Sequence, residues 1–196
     1  EDGFTSLKAF AEDNRCWAGE SAATHAGFVA DLSKTLADGG LDLLSLSLEL
    51  GPGCFEATLR NSSPMRAAED HLLLKMFTKA FCRQRGLTAS FMAQLGAGFQ
   101  GLSQHPQVSL FDKASGNNLF AGGSNDDINP LFQHFIAGMV TMIPEAMALT
   151  HHTPNSYRRM APGNWAPKSA SWARQNYSAA IRVVTSPDSH CRLEYR

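Results

Sequence analysis

Apolar residues recur at helical spacing from Ser21 to Leu36 (Ala23, Phe28, Val29, Leu32, Leu36), and Gly39-Gly40 ends the run. The period then shortens. Leu43 to Leu48 and Cys54 to Leu59 predict two strands, with Leu50-Gly51-Pro52-Gly53 as the turn of a hairpin. Asn61-Ser62-Ser63-Pro64 has the form of a helix cap followed by proline, which predicts a long helix through Arg85 stopped by Gly86. Ala68, Leu72, Met76, Ala80 and Phe81 are its expected core positions. Leu87 to Leu95 is strand-like, Gly96 to Gly101 is a glycine-rich loop, and Pro106 to Asp112 alternates as a strand before the turn Ser115-Gly116-Asn117-Asn118. Asn129-Pro130 caps another long helix reaching about Thr150, with Pro144 expected to bend it. His151 to Lys168 reads as loop, and Ile181 to Val184 and Arg192 to Arg196 as short strands. Helices and strands mix without βαβ alternation, so the expected class is α+β, a largely antiparallel curved sheet with flanking helices.

Composition narrows the function classes. The chain has 196 residues, 43% of them hydrophobic, enough to bury the core of one domain or a piece of one. A formal net charge of -1 without a basic run argues against nucleic acid as a partner. No apolar run is long enough for a bilayer, and Glu1-Asp2-Gly3 lacks the features of a leader. Cys16, Cys54, Cys82 and Cys191 have no metal-binding spacing and suit reduced thiols, so a cytoplasmic location is expected. The opening glutamate and the ending at Arg196 suggest a fragment.

Glu49 and Glu56 flank the predicted hairpin turn, close enough to share one ion. Two carboxylates facing one spot repel unless something positive lies between them, so the pair implies a hard divalent cation, a structural arginine, or two separately solvated acids. Gly96-Ala97-Gly98-Phe99-Gln100-Gly101 matches a dinucleotide fingerprint in letters only, because Ser103-Gln104-His105-Pro106 leads into a strand rather than a helix. His105, Glu194 and the pair His151-His152 have ordinary surface or loop readings when taken singly. Six arginines (Arg158, Arg159, Arg174, Arg182, Arg192, Arg196) fall in the last fifth of the chain, and forked guanidiniums suit carboxylate and phosphate groups.

Taken in order, five segments resemble the catalytic domain of the glutamine synthetase superfamily. Glu49-Leu-Gly-Pro-Gly-Cys-Phe-Glu56 resembles its E-x-G-P-G-Q-x-E hairpin, Ala89-Ser-Phe-Met92 its A-T-F-M strand, and His105-Pro-Gln-Val-Ser-Leu110 its H-x-H-x-S-L segment. Asn155-Ser-Tyr-Arg-Arg159, with Pro162-Gly163 and Ala166-Pro167, is similar to its N-S-Y-K-R loop, and Arg192-Leu-Glu-Tyr-Arg196 to its R-x-E-x-R strand. The resemblance implies ATP and Mg²⁺ or Mn²⁺ as cofactors, glutamate and an amine as substrates, and a homo-oligomer of stacked rings. It implies a γ-glutamyl phosphate that nitrogen attacks, with metal ions and arginines balancing the accumulated negative charge.

By the same resemblance Glu49 and Glu56 would hold one divalent ion, and His105 with Glu194 the other. Arg159 and Arg196 would grip glutamate beside Gln100 and Gly101, while Arg182 and Arg192 would take the ATP phosphates near Ser109. Arg159, Arg182 and Trp165 would stand nearest the chemistry. The departures are Gln107 for the second histidine, able to hydrogen-bond on the nucleotide side without charge, Gln94 for a lysine, and Tyr177 for a phosphate-directed arginine. Asn164-Trp165-Ala166-Pro167 resembles the branch that makes γ-glutamyl amides of polyamines and other amines, where an indole replaces a carboxylate base. The resemblance implies that residues 1–196 are part of a catalytic domain, without its preceding E-x-E strand, its N-terminal β-grasp domain and its C-terminal remainder. Ordinary glutamine synthesis and a catalytically impaired structural or regulatory member are the alternatives.

Overall fold

A computed structural model of the chain describes residues 8–12, 15–96, 99–122, 128–185 and 190–196. Ala97 and Gly98 of the glycine-rich loop and the first residues of the chain lie outside the described residues. Two units form, one from residues 1–91 with 95–100, the other from 92–94 with 101–196.

In the first unit, helices α1 (Gly19–Thr24) and α2 (Ala26–Asp38) replace the single expected helix, with a break at His25. Strands β1 (Leu43–Leu48) and β2 (Phe55–Leu59) pair antiparallel as the hairpin pattern requires. Its turn needs backbone that side chains resist, and glycines supply it: φ is +113° at Gly51 and +69° at Gly53. Helix α3 (Pro64–Arg83) starts where expected, with the Ser63 side chain accepting from the Arg66 N–H.

Phe81 is buried as expected, but the rest of the buried face of α3 differs from the expected one. Leu74, Phe81 and Cys82 are buried with Leu32, Leu36 and Leu41, and Leu73 and Phe77 pack against them. Leu72 and Met76 stay 61% and 63% exposed, and Ala68 and Ala80 are exposed too. The helix offers two apolar stripes. The one carrying two phenylalanines removes more area from water and takes the core.

The second unit is built on a four-stranded sheet in the order β3-β6-β5-β4, from β3 (Gln107–Val108), β4 (Trp172–Arg174), β5 (Ile181–Val184) and β6 (Arg192–Tyr195). The β3/β6 and β5/β6 pairs are antiparallel, whereas β4 joins β5 in parallel. Helix α4 (Pro130–Thr150) matches its expected bounds and runs on through Pro144. Asn129 caps it by accepting from the Phe132 N–H, while its amide donates to the carbonyls of Leu119 and Ala121. Phe132, Ile136 and Ile143 of α4 cover Ile181, Val183 and Leu193 of the sheet, and Phe120 stacks on Phe132 with centroids 4.1 Å apart.

Three further expectations need correction. Leu87 to Leu95 forms no strand, and the Pro106–Asp112 strand shrinks to β3 plus a bridge between Phe111 and Asn118. There Asp112 turns its carboxylate back onto the N–H groups of Ala114 and Ser115, and this local turn ends the pairing. The expected loop after His151 contains helix α5 (Pro154–Arg159), capped by Thr153 with proline in its first turn.

Candidate active site

Strand alternation divides the sheet of the second unit into an oily face and a charged face. Ile181, Val183, Leu193 and Val108 belong to the core cluster under α4. The register sets Gln107 opposite Glu194 and Glu194 opposite Arg182, so these three share the other face, with His105 and Arg196 one step further along it. Burying charge on a central strand is tolerable only if it is paired. Here it is: Glu194, 2% exposed, accepts at Oε2 from Arg182 and at Oε1 from Arg196. Burial alone would push the Glu194 carboxyl up, but the hydrogen bonds from both arginines, with the charge of Arg182, hold it below its ordinary value.

His105 lies beside this group, with Nδ1 3.7 Å from Glu194 Oε1 and Nε2 2.6 Å from Ser103 Oγ. Burial and then the Arg196 charge push its pKa down to about 4, against the opposite pull of Glu194. His105 is therefore neutral at neutral pH. Ser103 also receives the Arg159 guanidinium at 3.4 Å, and Arg159 Nε donates to the Leu102 carbonyl at 2.9 Å. Gly101 makes room for this: a Cβ there would come 2.8 Å from Arg159 Cγ. Burial, then the charge of Arg196, lowers the pKa of Arg159.

Tyr177 forms a roof. Its ring stands 4.3 Å from Arg182 Cζ and 5.2 Å from Arg196 Cζ. The chain reaches this position through Gln175, left-handed at φ +50°, and an Asn176 side chain that accepts from the Ser178 N–H. Arg192 is turned to the edge of the sheet, where it donates to Gln107 Oε1 and to the His190 carbonyl. Ser109 donates to the Cys191 carbonyl at 3.0 Å. The structure thus gathers Arg182, Arg196, Glu194 and His105, with Arg159 joined through Ser103. Ser103 and the roofing role of Tyr177 were not legible in advance; Ser103 belongs to no motif, and Tyr177 stood out only as a departure.

The loop after Arg159 is tied down by polar contacts. Lys168 Nζ donates to the carbonyls of Met160 and Ala161, and the Asn164 amide donates to Arg158 O. Ala166 is buried while Trp165 next to it is 50% exposed.

In the first unit, the register Ser47↔Glu56 and the Glu49 N–H donation to the Cys54 carbonyl put Glu49 and Glu56 on one face of the hairpin. Glu49 is half-buried and Glu56 exposed. Cys16 Sγ donates to Glu49 Oε1 at 3.7 Å, and the Cys54 thiol is pushed up to about 11 by burial and by Glu49. The Gln100 side chain covers Gly51, whose added Cβ would lie 2.6 Å from Gln100 Cγ. Two carboxylate oxygens on one face are suitable hard donors for a divalent ion. Among the described residues no three His, Cys, Asp or Glu side chains converge on one point where an ion would sit.

This combination of motifs and fold has known relatives. The glutamine synthetase catalytic-domain family matches residues 7–196. The chain belongs to the glutamine synthetase superfamily. It is 30% identical over 196 residues to glutamate–isopropylamine ligase of a Pseudomonas species, covering all of this chain and 42% of that protein. It is also 32% identical over 149 residues to the γ-glutamylputrescine synthetase PuuA of Escherichia coli K12, covering 76% of this chain and 31% of that enzyme. The solved structure of ligand-free GmaS superposes with a TM-score of 0.78 at 24% identity, over 93% of this chain and 42% of that one. The chain therefore spans less than half the length of these relatives, and the γ-glutamyl amine branch of the superfamily is among them. Among the described residues no helix is long and apolar enough to cross a membrane.

Proposed function

We propose that the protein acts as an ATP-dependent ligase that joins the γ-carboxylate of glutamate to an amine. The observation that carries this reading is Trp165, half-exposed on a loop fastened at both ends directly after Arg159. An indole there gives an alkylammonium chain a flat, apolar and π-rich wall; ammonium can meet the π face but has no carbon stem to pack against it. The match of the whole chain to part of a glutamate–isopropylamine ligase supports the same branch.

In this reaction the γ-carboxylate attacks the terminal phosphorus of ATP and ADP leaves. The amine nitrogen then attacks the acyl carbon, inorganic phosphate departs, and the nitrogen loses a proton. Arg159 would grip the amino-acid carboxylate, Arg182 and Arg196 would offset the charge that accumulates between phosphoryl and carboxylate oxygens, and Ser109 and Arg192 would lie on the nucleotide side. A divalent ion on Glu49 and Glu56 would supply further neutralisation of phosphate charge.

Phosphate release by the full-length protein, with ATP, glutamate and a panel of ammonium, isopropylamine, putrescine and aniline, tests the reading. Release driven by an organic amine above that driven by ammonium is expected. Turnover with ammonium alone overturns the role of Trp165. A catalytically impaired member is the second reading, favoured by Tyr177 and Gln107 standing where the family pattern has charged groups. Absence of metal-dependent nucleotide binding in a calorimetric titration selects it.

A further inference from the structure

We infer that the outward face of helix α3 is a two-fold contact surface on which a second copy of this chain docks, helix against antiparallel helix. The core takes the side of α3 that carries Leu74, Phe81 and Cys82. On the other side Met65, Leu72 and Met76 are 72%, 61% and 63% exposed, in line with exposed Ala68 and Ala80. Steps of three and four residues place these five on one stripe of the helix. A continuous exposed apolar stripe marks an interaction surface, where single apolar residues scattered over a surface would not.

The charges beside the stripe identify the occupant. Glu69 and Lys79 flank it and are both exposed, and exposed Arg83 stands in the last turn. In a pair of α3 helices laid antiparallel and centred between Leu72 and Met76, Leu72 of each copy meets Met76 of the other, and Glu69 meets Lys79. Ala68 meets Ala80, two small side chains that let the backbones close in, and the stem of Arg83 covers Met65. Every contact occurs twice, as an isologous interface demands. Within the chain Lys79 Nζ lies 6.0 Å from the Phe91 ring centre, the outer limit of a cation–π contact, so it gives up little by turning to a carboxylate.

A segment of the same chain laid over α3 needs only an apolar face and gives the helix no reason to complement its own reverse. The helix is 20 residues long. It spans about 30 Å and offers about eight side chains from each copy, fewer than a standard interface, so a dissociation constant in the micromolar range is expected.

The test is sedimentation velocity of the full-length protein without substrate, at about 1 to 100 μM. The samples are the wild type, Glu69→Lys, Lys79→Glu, an equimolar mixture of these two variants, and the double variant. Each single variant sets like charges against each other twice and weakens the association by at least about tenfold. The mixture and the double variant restore opposite charges and recover the wild-type dissociation constant to within about threefold. Circular dichroism of the two exposed substitutions is expected to match the wild type. Single variants that sediment as the wild type does overturn the inference, and this is the outcome if a segment of the same chain covers α3. A mixture or a double variant as weak as the singles overturns it too. An assembly formed through other surfaces is insensitive to the charge swap, so ring formation is not mistaken for this contact. The readout needs neither ATP nor an amine, and its outcome is separate from that of the ligase assay.

Discussion

Replacing Glu194 with glutamine changes one atom and removes the negative charge bonded to both Arg182 and Arg196 in the centre. Glutamine offers one carbonyl oxygen, so it serves one arginine while its N–H₂ confronts the other, donor against donor. Glu194 is 2% exposed, and water does little to screen the loss. Removing one partner of a buried ion pair costs about 3–5 kcal/mol; the Tyr177 ring lies against both arginines before and after the change and so leaves that difference unaltered. A net loss of about 3 kcal/mol moves a urea midpoint by roughly 1–2 M at a slope of about 2 kcal/mol/M. Denaturation of Glu194→Gln, Arg182→Met and the double variant, followed by circular dichroism, gives the measurement. The double variant is expected to lose less than the sum of the singles by about 2 kcal/mol, because removing both charges leaves neither stranded. A Glu194→Gln loss under about 1 kcal/mol, with additive singles, refutes the idea that Glu194 is the counter-ion of the pair.

Acid should weaken the same region through His105, whose pKa falls from 6.5 to about 4 in the fold. Above pH 6.5 neither folded nor unfolded chain holds the proton and stability is fully present; as pH drops toward 4 the unfolded chain protonates first, and up to about 3 kcal/mol is lost. The stability–pH profile of His105→Gln, subtracted from the wild type, isolates this share, and identical profiles would count against it. Gly101→Ala would drive a methyl group to 2.8 Å from Arg159 Cγ and pull the guanidinium from Leu102 O, with a cost of about 1–2 kcal/mol and a raised KM for glutamate. Asn129→Ala should cost about 2–3 kcal/mol in thermal unfolding, more than a simple cap, since the amide also holds Leu119 and Ala121.

How much could be read in advance depends on how local each signal is. Helix α4, strands β1 and β5, and the caps of α3 and α4 come from nearest-neighbour chemistry, and the structure agrees with them. The face of α3 did not, because two apolar stripes compete and only contact with α2 and the hairpin decides between them. Helix α5 carried a readable signal in Thr153-Pro154, hidden within polar loop composition. Strand β4 has three residues, and its parallel partner lies across an intervening turn, so no period announces it. At the site, motif order named Glu194 and Arg196, and the late cluster of arginines, with the family resemblance, named Arg182. It carried nothing of their mutual bonding, which depends on a cross-strand register set by distant pairing.

That register gives the charged row a second consequence. On β5, Arg182 sits between Ile181 and Val183, and both flanking residues are wholly inside the oil under α4. If β5 slid by one residue along β6 during folding, the arginine would be thrust among Phe132 and Ile136 and the isoleucine would face Glu194. Such a misaligned sheet carries an unpaired charge in its interior and cannot persist. The ions that line this face thus also proofread strand alignment. Substitutions that neutralise the row would be expected to yield mixtures of misregistered sheets as well as an altered site.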